Sequence, residues 1–337
     1  MIYRSKAPLR LSFAGGGTDV PPYPERYGGV VLASTITRYA YVSLRPRADG
    51  IVKVQSLDHD VMAKYDVSDE DVFEGERQLA DGVLHHFGIP DGADIFLHTD
   101  APPGSGLGSS SAMTVAIIGA LRHWLQLPLT SYETADHAVK IERVDLGIKG
   151  GLQDQYATTF GGFNLIEFGK DRVVVNPLRV ERHLVRELQY RLLLCYTGKT
   201  RLTGNILSRQ IERYERREKE VVQALQRLKE ITVEAKNALL MGRLDDFGDM
   251  LNHSWMSKKK LDTEISDPYL DEMYELARKR GAIGGEIVGA GGGGYLLLYC
   301  QFDRRHLIAE EVERVGGKVV EFSFEFRGLQ TWQVPEL

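Results

Sequence analysis

The sequence predicts an α+β fold, and three observations carry that expectation. Strand-like and helix-like segments are mixed without a strict βα alternation, which argues against a doubly wound sheet. Strand segments rich in β-branched and aromatic residues dominate the first hundred residues and return in the second half. The chain has 337 residues, 43% of them hydrophobic and 26% charged, enough for a sizeable core and for about two domains.

Taken in order, residues 30–42, 51–54 and 93–98 read as strands. Residues 109–125 start small and are then apolar nearly all round, as in a buried helix. Thr130 followed by Glu133 forms a capping box for a second helix that reaches about residue 144. Residues 164–175 read as a hairpin around Gly169-Lys170-Asp171, and Pro177 with the charged stretch 180–187 reads as a linker. An apolar strand follows at 192–196. Leu207, Ile211, Tyr214, Val221, Leu225 and Leu228 then recur at helical spacing and predict one long helix. Its other face alternates Arg, Lys and Glu, which suits solvent better than nucleic acid. Further helices are expected at 244–253 and 268–280, a strand at 295–299, and a closing helix and strand at 308–315 and 318–324. The linker divides the chain into 1–185 and 186–337.

The net charge of -5 gives no general attraction to nucleic acid or to an anionic membrane. Cys195 and Cys300 are too few for a disulfide framework or a structural zinc site, and each ends an apolar run, so buried free thiols are expected. No run approaches the roughly 18 apolar residues of a membrane span, and the first residues lack the apolar region of a signal peptide. A soluble, cytoplasmic protein is expected, with Trp255 in the core.

Glycine is in excess, with 35 residues where the usual share would give roughly 24. The surplus is clustered at Gly15 to Gly17, at Gly104, Gly106 and Gly108, and from Gly281 to Gly294. Clustered glycine implies backbone packed closely against something. Gly289, Gly291 and Gly294 satisfy GxGxxG, but a strand-like Tyr-Leu-Leu-Leu-Tyr follows where a dinucleotide fingerprint needs a helix. Gly198-Lys199-Thr200 lacks the earlier glycine of a Walker A loop, since Leu193 stands there. The middle cluster differs. Pro103-Gly104-Ser105-Gly106-Leu107-Gly108-Ser109-Ser110-Ser111 runs straight into the buried helix. Bare backbone N–H groups and a helix N-terminus suit an anion. The same stretch is also compatible with an ordinary glycine-rich turn and a serine cap.

Ala135, Ala138, Val139 and Glu142 fall at i, i+3, i+4 and i+7, so Glu142 shares the inward stripe of the second helix, near its unfavourable C-terminal end. Such a carboxylate needs a compensating cation. A divalent metal would serve; so would a salt bridge, although adjacent Arg143 would not face it on a helix. Asp154 lies in Gly150-Gly151-Leu152-Gln153-Asp154-Gln155-Tyr156, where an isolated Asp reads as a turn or helix-start residue.

Together these segments resemble the three motifs of the GHMP kinase superfamily, in family order. The first is Lys6-Ala7-Pro8-Leu9-Arg10-Leu11-Ser12-Phe13-Ala14-Gly15-Gly16-Gly17-Thr18-Asp19, the second the Pro103 to Ala112 loop, and the third Gly289-Ala290-Gly291-Gly292-Gly293-Gly294. The first motif and the stretch 150–162 are most similar to the heptose 7-phosphate kinase branch of the family. The resemblance implies a ribosomal-protein-S5-like N-terminal domain and a ferredoxin-like C-terminal domain. It implies transfer of the ATP γ-phosphoryl group to a hydroxyl, in this branch the anomeric hydroxyl of a heptose phosphate. By motif match, residues 103–111 would wrap the ATP phosphates, Ser110 and Glu142 would hold Mg²⁺, and Asp154 would be the catalytic aspartate with Arg10 beside it. Gly16, Gly17, Thr18, Asp19, Gly151, Gly291, Gly292 and Gly293 would line the substrate side. The small-molecule partner would be a sugar or sugar phosphate, with no nucleic acid or membrane involved.

Asp154 could accept the hydroxyl proton or orient it, while Arg10 would stabilise the incipient alkoxide. Kinases of an unphosphorylated sugar such as fucose, a silent nucleotide-binding regulator and a phosphorylating decarboxylase share the fold. The retained Asp154, Glu142, Ser110 and Arg10 disfavour the regulator, and the sugar-type first motif disfavours the decarboxylase. Glu286 departs from the branch, which often carries Lys there; if it faced the substrate, a phosphorylated sugar would fit less well. Basic candidates for a substrate phosphate are Lys199, Arg201 and Lys258-Lys259-Lys260, each of which is also readily read as a surface charge.

Overall fold

A computed structural model describes residues 1–57, 61–66, 76–102, 104–199 and 203–336. The first part of the chain runs β1 (Ile2–Ala14), α1 (Tyr23–Tyr27), β2 (Gly29–Pro46), β3 (Ile51–Ser56), β4 (Val61–Asp66), α2 (Glu76–Phe87) and β5 (Ala93–Thr99). It continues through α3 (Ser109–Leu125), α4 (Ser131–Lys140), a π-helical turn (Ile141–Asp145), α5 (Gln153–Phe160), β6 (Phe163–Phe168) and β7 (Val173–Pro177). Then come α6 (Arg182–Arg191), β8 (Leu192–Tyr196), α7 (Thr203–Glu215), α8 (Lys219–Leu240), α9 (Leu244–Lys258) and α10 (Pro268–Lys279). The chain closes with β9 (Ala282–Ile287), β10 (Tyr295–Cys300), α11 (Arg305–Arg314), β11 (Lys318–Val320), β12 (Phe324–Glu325) and β13 (Gln330–Val334).

The α+β expectation holds. Among the described residues, one sheet follows the order β13-β1-β2-β5-β3-β4, with β6 and β12 also paired to β2 and β7 to β6. The 18-residue β2 makes this possible. Its first half pairs with β6, its second half with β5, and both halves run against β1. A second, antiparallel sheet has the order β11-β8-β10-β9. Strands β12 and β13 return to the first sheet, where Phe324 pairs with Ile36 and Val334 with Ile2.

One core joins the layers: Leu9, Leu11 and Phe13 of β1, Val115 and Ile118 of α3, Phe247 and Leu251 of α9, and Leu297 of β10 are all buried in it. Trp255, Tyr274 and Leu298 belong to a second cluster on the other face of the second sheet, which places Trp255 in the core as expected. Cys195 and Cys300 are buried free thiols. No helix among the described residues is long and apolar enough to cross a membrane.

Four local readings need correction. The charged stretch 180–187 is no linker: α6 forms there and buries Val185, Leu188 and Arg191 at helical spacing, a stripe masked by the charges around it. The single long helix is two, because Arg217 adopts φ 55 and turns the chain between α7 and α8. The hydrophobic spacing runs through that break, so periodicity alone could not reveal it. The last strand is also split, β11 pairing with β8 and β12 with β2. The fourth concerns α4, which ends at Lys140, where the π-helical turn begins.

The capping box is present: Thr130 Oγ1 accepts from the Glu133 N–H at 3.2 Å, and Glu133 Oε2 accepts from the Thr130 N–H at 2.8 Å. Thr130→Ala should therefore cost about 1 kcal/mol of stability. Urea unfolding should show this as a lower midpoint at unchanged m-value.

Candidate active site

A cavity of about 220 Å³ opens where the loop after β1, the α3 N-terminus, the π-helical turn, the α5 N-terminus, α9 and the β9–β10 turn converge. Arg10, Asp19, Glu142, Asp154 and Lys258 are among the residues on its wall, with the backbone of Gly104, Gly106 and Gly108.

The glycine loop is shaped by positive φ at Gly104, Gly106 and Gly108 (73, 84 and 74). Gly108 caps α3 with no side-chain hydrogen bond, so the first N–H groups of a 17-residue helix are left for a ligand. Ser109, Ser110 and Ser111 line the cavity too. Leu107 points into the core, and Ser105 is buried off the cavity. Pro103 and Arg201 lie outside the described residues.

Asp154 sits in the first turn of α5, where the helix dipole favours a carboxylate. Arg10 Nε and Nη2 each lie 2.8 Å from Asp154 Oδ1, and Arg10 Nη1 also donates to the Gly106 carbonyl. A Cβ on Gly108 would lie 3.3 Å from Asp154 Cγ, so loop and carboxylate are in contact.

Glu142 is 1% exposed and its two oxygens differ. Oε2 accepts from Ser111 Oγ, Gln155 Nε2 and Arg143 Nη1, each at 3.0 Å. Oε1 is buried without a hydrogen-bond partner. Burial pushes the Glu142 carboxyl above its ordinary range, and Arg143 opposes that shift. The Arg143 contact overturns the expectation that adjacent residues cannot meet. The chain has left the α-helix at Lys140, and Arg143 folds back beneath the Gly150–Gly151 backbone, donating to the Gly151 carbonyl at 3.1 and 2.8 Å. A Cβ on Gly150 would lie 2.5 Å from the Arg143 guanidinium, and one on Gly151 would lie 2.1 Å from Asp19 Oδ2.

Asp19 is fully buried. It accepts from the N–H groups of Gly17 and Gln153, both at 3.1 Å, and from Gln153 Nε2 at 3.2 Å. Burial, and secondarily the Asp154 charge, raise its carboxyl above the usual range. Gly16 and Gly17 line the cavity beside it, but Thr18 does not: its hydroxyl is spent on the Gly15 and Val30 carbonyls, at 2.7 and 2.9 Å. In the third motif, Gly289 and Ala290 reach the wall. Gly291 instead packs on Ile265 and Gly293 on Lys199, while the Gly292 N–H donates to the Ile265 carbonyl at 2.8 Å. These three glycines let the turn bury itself against protein, not against the cavity.

The donor set fits a hard divalent cation and a phosphate chain. Glu142 Oε1 is a buried carboxylate oxygen without a hydrogen-bond partner, and serine hydroxyls stand nearby at the α3 N-terminus. Among the described residues no cluster of three His, Cys, Asp or Glu could hold a metal by itself. A site with few protein ligands is what Mg²⁺ uses when phosphates complete its shell.

The comparisons with known proteins agree with this layout. The GHMP kinases N-terminal domain matches residues 77–162 and the C-terminal domain residues 219–318. A D-glycero-alpha-D-manno-heptose 7-phosphate kinase from Campylobacter jejuni is 35% identical, the match covering 98% of this chain and 99% of that protein. The chain belongs to the GHMP kinase family. A crystal structure of a D-glycero-D-manno-heptose 1-phosphate kinase from Bacteroides thetaiotaomicron superposes with TM-score 0.83 at 34% identity, over 99% of this chain and 100% of that one. Galactokinase from Lactococcus lactis, complexed with galactose, shares the fold at TM-score 0.81 and 21% identity, over 98% and 95% of the chains.

In this member of the GHMP kinase family, then, much of the glycine surplus lies at the cavity and at the backbone contacts that shape it. Sequence reasoning missed Gln153 and Gln155 and set Arg143 aside; together with Ser111, expected only on the phosphate side, they hold the two buried carboxylates. The adjacent Gly150 and Gly151 were the available signal for Arg143, since bare backbone there admits its guanidinium. Of the basic candidates, Lys199 pairs with Asp267 at 2.8 Å and Lys259 with Asp271 at 3.2 Å. Lys258 is no surface charge: it is 4% exposed and lines the cavity. Glu286 faces inward, accepting from Ser254 Oγ at 2.8 Å with Lys258 Nζ 3.9 Å away.

Because the folded state resists ionising Glu142, the protonated form contributes stability at acidic pH, and that contribution is lost as pH rises through the shifted value. Replacing the group should therefore help most where it would be charged. In Mg²⁺-free buffer, Glu142→Gln is expected to raise Tm by a few degrees at pH 8 and by less at pH 5. Thermal scans at the two pH values check this; equal gains would contradict it.

Proposed function

We propose that the protein is an ATP- and Mg²⁺-dependent kinase that phosphorylates the anomeric hydroxyl of D-glycero-D-manno-heptose 7-phosphate, giving the 1,7-bisphosphate. The observation that carries the chemistry is the Arg10–Asp154 pair, set against Gly108 at the mouth of the α3 N-terminus. The choice of substrate is supported by the full-length heptose 7-phosphate kinase relative. The internal partners of Glu286 remove the objection that an acidic side chain would repel a phosphorylated sugar.

ATP supplies the phosphoryl group, and Mg²⁺ when bound shields its charge. The chain does the rest by positioning. N–H groups of the Gly104 to Ser111 loop receive the phosphates, except that of Ser105, which donates to the Pro102 carbonyl; Glu142 Oε1 and the Ser110 hydroxyl offer oxygen ligands, and Asp19 accepts from a sugar hydroxyl. Asp154 takes the proton of the attacking hydroxyl, and Arg10 holds the carboxylate in place and stabilises the alkoxide as it forms. Residues 1–185 thus provide the nucleotide side and catalytic groups, and 186–337 complete the substrate side. The cytoplasm, where ATP is available, is the compartment this chemistry requires.

Asp154→Asn should keep ATP binding, read by calorimetry, and cut kcat at least about a hundredfold; near-wild-type turnover would remove Asp154 from the reaction. A panel of heptose 7-phosphate, heptose 1-phosphate, free heptose, fucose and galactose should give highest kcat/KM on heptose 7-phosphate, with phosphorus NMR locating the new phosphate at C1. Preference for heptose 1-phosphate or for an unphosphorylated sugar would replace the proposed substrate.

A further inference from the structure

The mechanism leaves one buried charge on the cavity wall without a task. Lys258 ends α9, is 4% exposed and lines the cavity, while its partner Glu286 is 2% exposed on β9. A buried ion pair is costly and often no more stabilising than apolar residues of the same volume. This pair is also loose. Lys258 Nζ donates to the Ile287 carbonyl at 2.7 Å, but Glu286 Oε1 stands 3.9 Å off, beyond hydrogen-bond length. An ammonium has three N–H donors, so the Ile287 carbonyl does not exhaust it.

The surrounding charges define what those donors can read. Lys258 feels Glu286, Arg10 and Asp19. Arg10 is already committed to Asp154. Two cations, Lys258 and Arg10, thus face three carboxylates, Asp19, Asp154 and Glu286. Three N–H groups donate to Asp19 and counter, without reversing, the push of burial toward its neutral form. A phosphate dianion placed here would meet no excess of positive charge. A neutral hydroxyl suits the place, because it can accept from Lys258 and donate to Asp19.

On the reading of the protein as a sugar kinase, we infer that Lys258 is a specificity-determining residue that donates a hydrogen bond to a hydroxyl of the sugar, not to its phosphate. Lys258 and Asp19 then form a donor and acceptor pair on one wall, which recognises a polyol by the direction of its hydroxyls. The Ile287 carbonyl holds the ammonium in place, and Glu286, itself anchored by Ser254, offsets its charge. The phosphate end of the substrate is left to another part of the cavity, where the exposed Lys149 stands on the wall.

The test uses Lys258→Met combined with Glu286→Gln, which leaves no unpaired buried charge, with Lys260→Met as a surface control and thermal unfolding to check folding. Kinetics are measured with ATP on heptose 7-phosphate, on free heptose, and on a set of monodeoxy heptoses. The double variant should raise KM for heptose 7-phosphate and free heptose by the same factor, at least about tenfold. Its KM for ATP should stay unchanged. One monodeoxy sugar should show the raised KM with the wild type and no further loss with the variant. A rise confined to the phosphorylated sugar would make Lys258 a phosphate ligand and overturn the inference. A folded variant with unchanged sugar KM would reduce the pair to a structural role and overturn it too. Absence of wild-type turnover on every sugar would instead refute the sugar-kinase reading on which the inference rests.

Discussion

The structure depends on one close approach of backbone to backbone. A Cβ on Gly106 would lie 2.2 Å from the Val288 carbonyl, and one on Gly289 would lie 2.6 Å from Gly106 Cα. Both residues have positive φ, 84 and 84. Any side chain at either place would push the phosphate-type loop away from the β9–β10 turn. That contact is reinforced at Gly294, whose Cβ would lie 2.2 Å from the Ser105 carbonyl. The cavity has its shape because residues nearly two hundred positions apart are pinned at bare backbone, with side chains kept for its walls.

The second organising fact is the concentration of buried charge around that contact. Asp19, Glu142, Glu286 and Lys258 are each shifted toward their neutral forms by burial. Two of them are not fully satisfied by their neighbours: Glu142 Oε1 has no hydrogen-bond partner, and Lys258 stands off from Glu286. A core evolved for stability alone would have no use for such an arrangement. A site built for ligands has every use for it, since ligand groups complete what the protein leaves open.

Much of this was legible in the residues themselves. The capping box at Thr130, the buried helix of α3, the hairpin of β6 and β7 and the inward stripe that carries Glu142 follow from local pattern, and the structure has each of them. The anion-suited helix start and the Arg10–Asp154 pair are where motif and geometry coincide. What was not legible depended on three-dimensional placement. No periodicity distinguishes α7 and α8 from one helix, because the break at Arg217 preserves the spacing. The role of Arg143 required the π-helical turn, and the burial of Lys258 required α9 to meet β9. Gly291 to Gly293 looked like ligand-facing backbone, yet their close neighbours are Ile265 and Lys199. A glycine cluster shows that something is near, not whether it is substrate or protein.

The return of β12 and β13 to the first sheet has a mechanical consequence. Everything from α6 to β11 leaves that sheet after β7, and the chain re-enters it at Phe324, so the second sheet and its helices are an insertion between strands of the first. The insertion does not hang on those two crossings alone: Ile231, Phe247, Leu251 and Leu297 bury it in the same core as β1 and α3, and β13 is zipped along β1 from Lys6–Gln330 to Ile2–Val334. The two walls of the cavity therefore cannot be parted without opening that shared core, and the register of Gly106 against Gly289 is as firm as the core itself.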